Sequence, residues 1–412
     1  MTKVVFISFR LKALDGVSTE AEKWINVFEE WGCEVHRVAG HIPSPDVCDH
    51  IIPELNHIDP EIQAFTGAVF CDEPDASETE REFERICESV GRSVGAVLDD
   101  IGPDIIIAEN VFSLPLNLPL TVVLCRYIEE RGISCIAVHH DFYWQNPSYS
   151  SCYFKDILAS HFPASMPQMM HVTINEKSRE ELYDRTGVAA TCIRNCFDFN
   201  SPRCVDDFNS SLRADLGLKN GEVMFLQPTR AIERKGIGRS IQFVEDFAAA
   251  SGRPARLVVT GSCEEDYNGE FGRMCRNSAV EVFHVPGWLG RTRNEPGARS
   301  CYDVRDAYAC CEMVTFPSSR EGFGNPVLES VVHRKLLLVA DYPVLEELRK
   351  FGFQFLSLEG DAVERAIKLM EYPPLMQEMV DRNFEIGRKH FSLDNLREDM
   401  AELVSSVPVP LH

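Results

Sequence analysis

Asp104–Glu109, DIIIAE, is apolar at four consecutive positions without alternation, so a strand there must be covered on both faces. Such a strand belongs to a parallel sheet, whose crossover connections lay helices over its two sides. The neighbouring chain follows the same grammar. Lys3–Phe9 reads as the first strand, and Gly16–Trp31, with Ala21, Trp24, Ile25 and Phe28 at helical spacing, as the first helix. Cys33–Ala39, Cys135–Val138 and His171–Ile174 read as strands, with helices over Glu78–Ile101 and Lys177–Arg185. His41–Asp75 is rich in proline and predicts irregular chain. The alternation restarts at Val223–Gln227 and continues through Arg256–Gly261, Val280–Trp288, Met313–Phe316 and Lys335–Ala340. A chain of 412 residues exceeds one ordinary core, so the pattern predicts two α/β domains linked through the charged segment Ser201–Asp215.

Charge and composition narrow the function. A net charge of −23 argues against nucleic acid and against an anionic membrane surface as the main partner. No apolar run approaches the ~20 residues that span a bilayer. The N-terminal MTKVVFISFRLK is charged too soon for a secretory signal, so a cytoplasmic protein is expected. The 15 cysteines are scattered with no CxxC pair, which reads as reduced, small apolar residues and gives little support to zinc.

Chemistry concentrates in Pro317–Ser330, PSSREGFGNPVLES. A strand closed by Pro317 passes into a turn at Gly322 and Gly324, where the backbone can approach a ligand closely. Pro326 suits the first turn of a helix, whose N-terminus attracts an anion such as phosphate. Glu321 on the loop and Glu329 in the helix can face one pocket. Upstream, PTRAIERKG carries Arg230 and Lys235 around a turn before a helix near Gly236, where two cations can offset phosphate charge. Arg234 and Arg239 read as solvated. In the first half, Glu109 and Asn110 lie at the carboxyl end of a strand, where open α/β sheets bind ligands. His139, His140 and Asp141 end another strand and precede Tyr143 and Trp144, a polar site with an aromatic wall. Asn117 reads equally as a helix cap. Near the N-terminus Asp15-Gly16 is a turn, with Ser18 facing Glu22 as a candidate capping pair.

The string E-G-F-G-x-P-x-x-x-E resembles the E-x7-E signature of the retaining glycosyltransferases of family 4. PTRAIERKG resembles that family's GRLxxxKG string, and TCIRNCFDFN its IPNGVD strand end, with Asn195 and Asp198 matching. The resemblance implies the α/β GT-B fold, with two Rossmann-like parallel-sheet domains facing a central cleft and a C-terminal helix crossing back to the first. The implied domains are 1–200 on the acceptor side, 201–385 for the donor, and 386–412 for the returning helix. Arg230 and Lys235 would hold the donor diphosphate and stabilise its departure, Glu321 would hold hydroxyls of the transferred sugar, and Glu329 would hold the ribose. Gly16, Gly287, Gly322, Phe323, Gly324, Asn325, Pro326 and Val327 would line the donor, with Trp288 beside the base. Only Gly16 remains of the family's paired glycines, and Arg10 and Lys12 stand where they could take over phosphate contacts. A histidine would contact the transferred sugar; His140, directly before Asp141, matches the family's HD step better than His139. Glu109, Asn110, His139, Asp141, Tyr143 and Trp144 would form the acceptor side.

The order of the motifs resembles the mannosylglucosylglycerate synthase branch, whose enzymes build small solutes. That branch implies GDP-mannose as donor and a small hydroxylated acceptor of the glycerate or glucosylglycerate type. UDP-glucose, or a lipid or polysaccharide acceptor, is the alternative. A nucleotide-sugar epimerase and a binding protein with a dead site are more distant ones. The implied chemistry requires no cofactor beyond the nucleotide sugar; a divalent metal and a homodimer are compatible with the sequence without being implied by it.

Overall fold

The structure is a computed structural model that describes residues 1–13, 15–286, 289–290, 293 and 302–406. The chain forms two units, Met1–Asn195 joined by the chain from Leu396, and Cys196–Asn395.

The first unit is built on seven strands: β1 (Lys3–Ser8), β2 (Glu34–Ala39), β3 (Asp49–Ile51), β4 (Ile105–Glu109), β5 (Ser134–His139), β6 (Met169–Thr173) and β7 (Thr191–Cys192). They pair in the order 3-2-1-4-5-6-7, every pair parallel. All five residues of β4 are buried, as its unbroken apolar run requires. Helix Ala76–Ile101 adds Ile86, Val90, Val94 and Leu98 to the core, a stripe repeating every four residues along one face. The strand order reverses between β1 and β4, which opens a crevice at their carboxyl ends.

Two local readings need correction, and a third is decided between its alternatives. The segment His41–Asp75 is not irregular: it supplies β3 and the helix Pro60–Val69. Asp59 caps that helix by accepting from Glu61 N and Ile62 N, while Ile62, Phe65 and Val69 are buried. Ser18 is not the cap of helix Gly16–Glu30. Asp15 is, accepting from Ser18 N at 2.9 Å, and Glu22 pairs with Arg37 instead. Asn117 is a cap, accepting from Leu120 N at 3.1 Å.

The second unit holds β8 (Val223–Gln227), β9 (Ala255–Val259), β10 (Glu281–His284), a short parallel pair β11 (Leu289–Gly290) and β12 (Tyr302–Asp303), then β13 (Met313–Phe316), β14 (Leu336–Val339) and β15 (Leu356–Ser357). Its main sheet runs 10-9-8-13-14-15, again wholly parallel, and reverses between β8 and β13. Helices Ile237–Ser251 and Ala362–Glu371 cover it with Ile237, Val244, Phe247 and Ala366. The last helix, Leu393–Ser405, enters the first unit at Leu396, burying Leu396, Met400, Leu403 and Val404. There Arg397 pairs with Glu30 at 2.7 Å. All 14 described cysteines are free thiols.

Candidate functional site

In the second unit, the chemistry gathers where the strand order reverses. The loop after β8 carries Arg230, Arg234 and Lys235, and the loop after β13 carries Glu321. Lys235 Nζ lies 2.5 Å from Glu321 Oε1, although the two residues are 86 apart in sequence. Their side chains are 11% and 10% exposed, so this is a largely desolvated ion pair. Burial lowers the Lys235 pKa even though Glu321 pulls the other way. Arg234 Nη1 approaches the second carboxylate oxygen at 3.4 Å and donates to Arg320 O at 2.8 Å.

The two loops are stitched by backbone as well. Ser319 N donates to Arg234 O at 3.0 Å, and Arg239 Nη1 donates to Pro317 O at 3.3 Å. Gly236, at φ +63°, lets the loops meet, because a Cβ there would stand 2.5 Å from Pro317 O. Arg234 and Arg239 therefore serve the glutamate loop instead of being merely solvated. Arg230 is about half exposed and pairs with Glu264 at 3.0 Å.

Beyond Glu321 the chain turns at Gly324, φ +97°, and starts helix Asn325–Val332 with Pro326 in its first turn. A glycine cap brings no side chain to compete for the first-turn N–H groups, so the helix start keeps its anion-binding character. Phe323 and Val327 are buried beneath it. Glu329, one turn in, accepts from the hydroxyl of Tyr308 at 2.6 Å. Tyr308 is fully buried, and burial together with Glu329 holds its pKa well above the ordinary value.

In the first unit, Glu109 ends β4 and His140 follows β5, the strand paired with it. His140 Nε2 lies 2.8 Å from Glu109 Oε2, both groups being buried. Burial alone would lower the His140 pKa, but the hydrogen bond and charge of Glu109 outweigh it and raise it. Burial raises the Glu109 pKa, opposed by His140. Asn110, in the left-handed region at φ 61°, accepts from His140 N at 2.8 Å.

His139 is different. It is fully buried, its Nε2 lies 2.9 Å from His171 Nδ1, and its ring packs against Phe142. Burial, then His171, holds its pKa well below the ordinary value. Asp141 is exposed. Trp144 stacks on Phe142 at 4.4 Å, with the Arg185 guanidinium 5.4 Å from its ring. Tyr143 and Trp144 line two surface cavities of about 390 and 530 Å³, and Glu109, Asn110 and His140 line neither. Near the N-terminus, Gly16 opens its helix, Arg10 pairs with Asp15 at 2.9 Å, and Lys12 is held by Asp46 and Asp49. Gly287 and Trp288 lie outside the described residues.

No protein-family model matches the chain. A mannosylglucosylglycerate synthase of Thermotoga maritima is 28% identical over 98% of this chain and 99% of its own. One from Petrotoga mobilis is 29% identical over 87% of each. Among solved structures, Anabaena HepE in complex with UDP and glucose superposes with a TM-score of 0.65 at 15% identity, over 98% of this chain and 100% of its own. Sucrose-phosphate synthase of Thermosynechococcus elongatus does so with a TM-score of 0.69 at 12% identity, over 98% of each chain. The chain is a glycosyltransferase of the GT-B fold.

Within this transferase the structure joins Lys235, Arg234 and Glu321 into one cluster and Glu109, Asn110 and His140 into another. His139 pairs with His171 instead, and Tyr143 and Trp144 line cavities that Glu109 and His140 do not. Sequence reasoning missed Arg234 and Tyr308, which act through contacts across 86 and 21 residues that no local pattern signals. It also missed Glu20, buried on helix Gly16–Glu30 and ion-paired with Lys23, whose charge acts on both Glu109 and His140. Among the described residues no group of three or more His, Cys, Asp or Glu could hold a metal ion. No described helix is long and apolar enough to cross a membrane.

Proposed function

We propose that the transferase moves a hexose, mannose from GDP-mannose, onto a small soluble acceptor of the glycerate or glucosylglycerate type, with retention of configuration. The observation that carries this reading is the contact between Lys235 and Glu321, which joins the cation string to the glutamate string at the reversal point of a parallel sheet. The names of the two curated relatives support the choice of donor and acceptor.

Each group then has a role that its surroundings suit. Lys235 and Arg230 hold the diphosphate and stabilise the charge that builds on it as the glycosidic bond breaks. Before the donor arrives, Glu321 keeps Lys235 aimed and charged; once the phosphates claim the ammonium, the carboxylate is free to accept from sugar hydroxyls. The helix start at Gly324–Val327 faces donor phosphate and sugar. Glu329, oriented by Tyr308, accepts from the ribose hydroxyls. Front-face attack, with the departing phosphate taking the acceptor proton, needs no protein nucleophile.

A thermal-shift screen with GDP, UDP, ADP, GDP-mannose and UDP-glucose tests this. A ligand at 100 times its Kd adds about 2.7 kcal/mol of stability. Shifts with GDP and GDP-mannose alone are expected, followed by product formation with glucosylglycerate. A response confined to uridine ligands would overturn the donor assignment, and silence with all five would overturn the reading.

A further inference from the structure

Two adjacent histidines lie where the fifth strand of the first unit ends, His139 as its last residue and His140 just beyond it, and their surroundings are opposite. His139 packs inward against Phe142 and His171, with no carboxylate bonded to it among the described residues, and burial disfavours its charged form. His140 sits against the carboxylate of Glu109. The pleat is the cause, since successive side chains of a strand point to opposite faces.

We propose that Glu109 is a positioning residue that keeps His140 protonated, so that His140 meets substrate as an imidazolium donating through Nδ1–H and does not serve as a base. The inference rests on the transferase reading of the site. Glu109 Oε2 occupies Nε2 at 2.8 Å, Asn110 Oδ1 fixes the backbone N–H of His140, and Nδ1 has no partner among the described residues. The charged groups facing the ring agree. Glu20 approaches from helix Gly16–Glu30 with Lys23 as its counter-ion at 2.7 Å, Glu109 comes from β4, and Asp141 is the next residue along the chain. A charged His140 leaves this group of five one negative charge in excess, and a neutral one leaves it two. A charge-assisted N–H donor also makes a stronger bond to a substrate oxygen than a neutral one does.

The sign of the pH dependence follows. The active form carries the proton, so activity is full at low pH and falls as pH rises through the raised pKa of His140. Replacing Glu109 with Gln removes the charge and moves that fall to lower pH.

The test is NMR titration of the protein labelled at its 12 histidines, with the His140 signal assigned by its loss in His140→Gln, alongside kcat/KM from pH 5.5 to 9. Wild-type His140 is expected to be charged at pH 7, with the Glu109→Gln titration shifted downward. Glu109→Gln is expected to lose about tenfold or more of kcat/KM at pH 8 and to regain most of it at pH 6, within the range of proton-dependent catalysis. A neutral His140 in the wild type at pH 7 would overturn the proposal, whether or not the variant folds. An equal loss at both pH values would also overturn it, since that marks a purely structural carboxylate. The NMR arm needs no turnover, so a failure of the transferase reading, seen as absent nucleotide binding, is distinguishable from a failure of this one.

Discussion

Lys235→Met keeps the aliphatic stem over the Phe316 ring, where Nζ sits 5.4 Å from the centroid, and removes only the charge. Glu321 is then left about one-tenth exposed without its main counter-ion. Breaking a buried pair in this way costs about 3–5 kcal/mol. Arg234, 3.4 Å from the other oxygen and 38% exposed, can swing in and offset part of it, so the lower end, about 3 kcal/mol, is expected. In a unit of this size that is a fall in Tm of roughly 6–12 °C. Adding Glu321→Gln removes the stranded charge, and the double variant should regain most of the stability. Turnover should not return, because the group proposed to hold the diphosphate is gone; a loss of about 10²–10³ in kcat is expected in both variants. Scanning calorimetry and steady-state kinetics on the wild type, both single variants and the double variant complete the cycle. If Lys235→Met melts with the wild type, the pair is not a buried electrostatic unit. If the double variant works, Lys235 is a structural residue and the diphosphate assignment falls.

Other outcomes follow from named contacts. Gly324→Ala places a Cβ 2.2 Å from the Tyr342 hydroxyl at φ +97°, and should cost about 3 kcal/mol or more by urea denaturation, part of it regained when Tyr342→Phe removes that oxygen. Tyr308→Phe deletes the 2.6 Å hydrogen bond to Glu329 and should cost about 1.5–3 kcal/mol, with a rise in the nucleotide Kd that calorimetry reads directly. An unchanged Kd would remove Glu329 from the ribose. His171, whose pKa burial lowers to about 4, stays neutral while the unfolded chain takes up a proton below its ordinary value of 6.5. Stability should therefore fall as pH drops from 6.5 toward 4, by about 2 kcal/mol at pH 5 from this residue. His171→Gln should flatten that slope between urea midpoints at pH 7 and 5.

What could be read in advance follows from how locally each feature is determined. DIIIAE and MVTF betray their burial in single unbroken runs, and E-G-F-G-x-P-x-x-x-E carries turn, helix start and both carboxylates within ten residues. The helix Pro60–Val69 was equally local, with Asp59-Pro60 as its start and Ile62, Phe65 and Val69 on one face, but the prolines around it masked the pattern. The partnership of Arg234 and Arg239 with the loop after β13 was not local at all, since it exists only once β8 and β13 pair. The difference between His139 and His140 turns on the parity of a strand end, which pattern reading places only to within a few residues. Glu20 looked like any glutamate on a surface helix; its burial comes from packing that the helix sequence does not announce.

The return of the last helix to the first unit bears on how the protein is made. During translation, Leu396, Met400, Leu403 and Val404 emerge about 200 residues after Asn195, which at 5–20 residues per second is a wait of roughly 10–40 s. Throughout that interval the nascent first unit carries an apolar seat without its occupant, a surface on which chaperones act. A fragment stopped at Asn195 would keep that seat open permanently, so the amino-terminal half is not a portable module despite its own complete seven-stranded sheet.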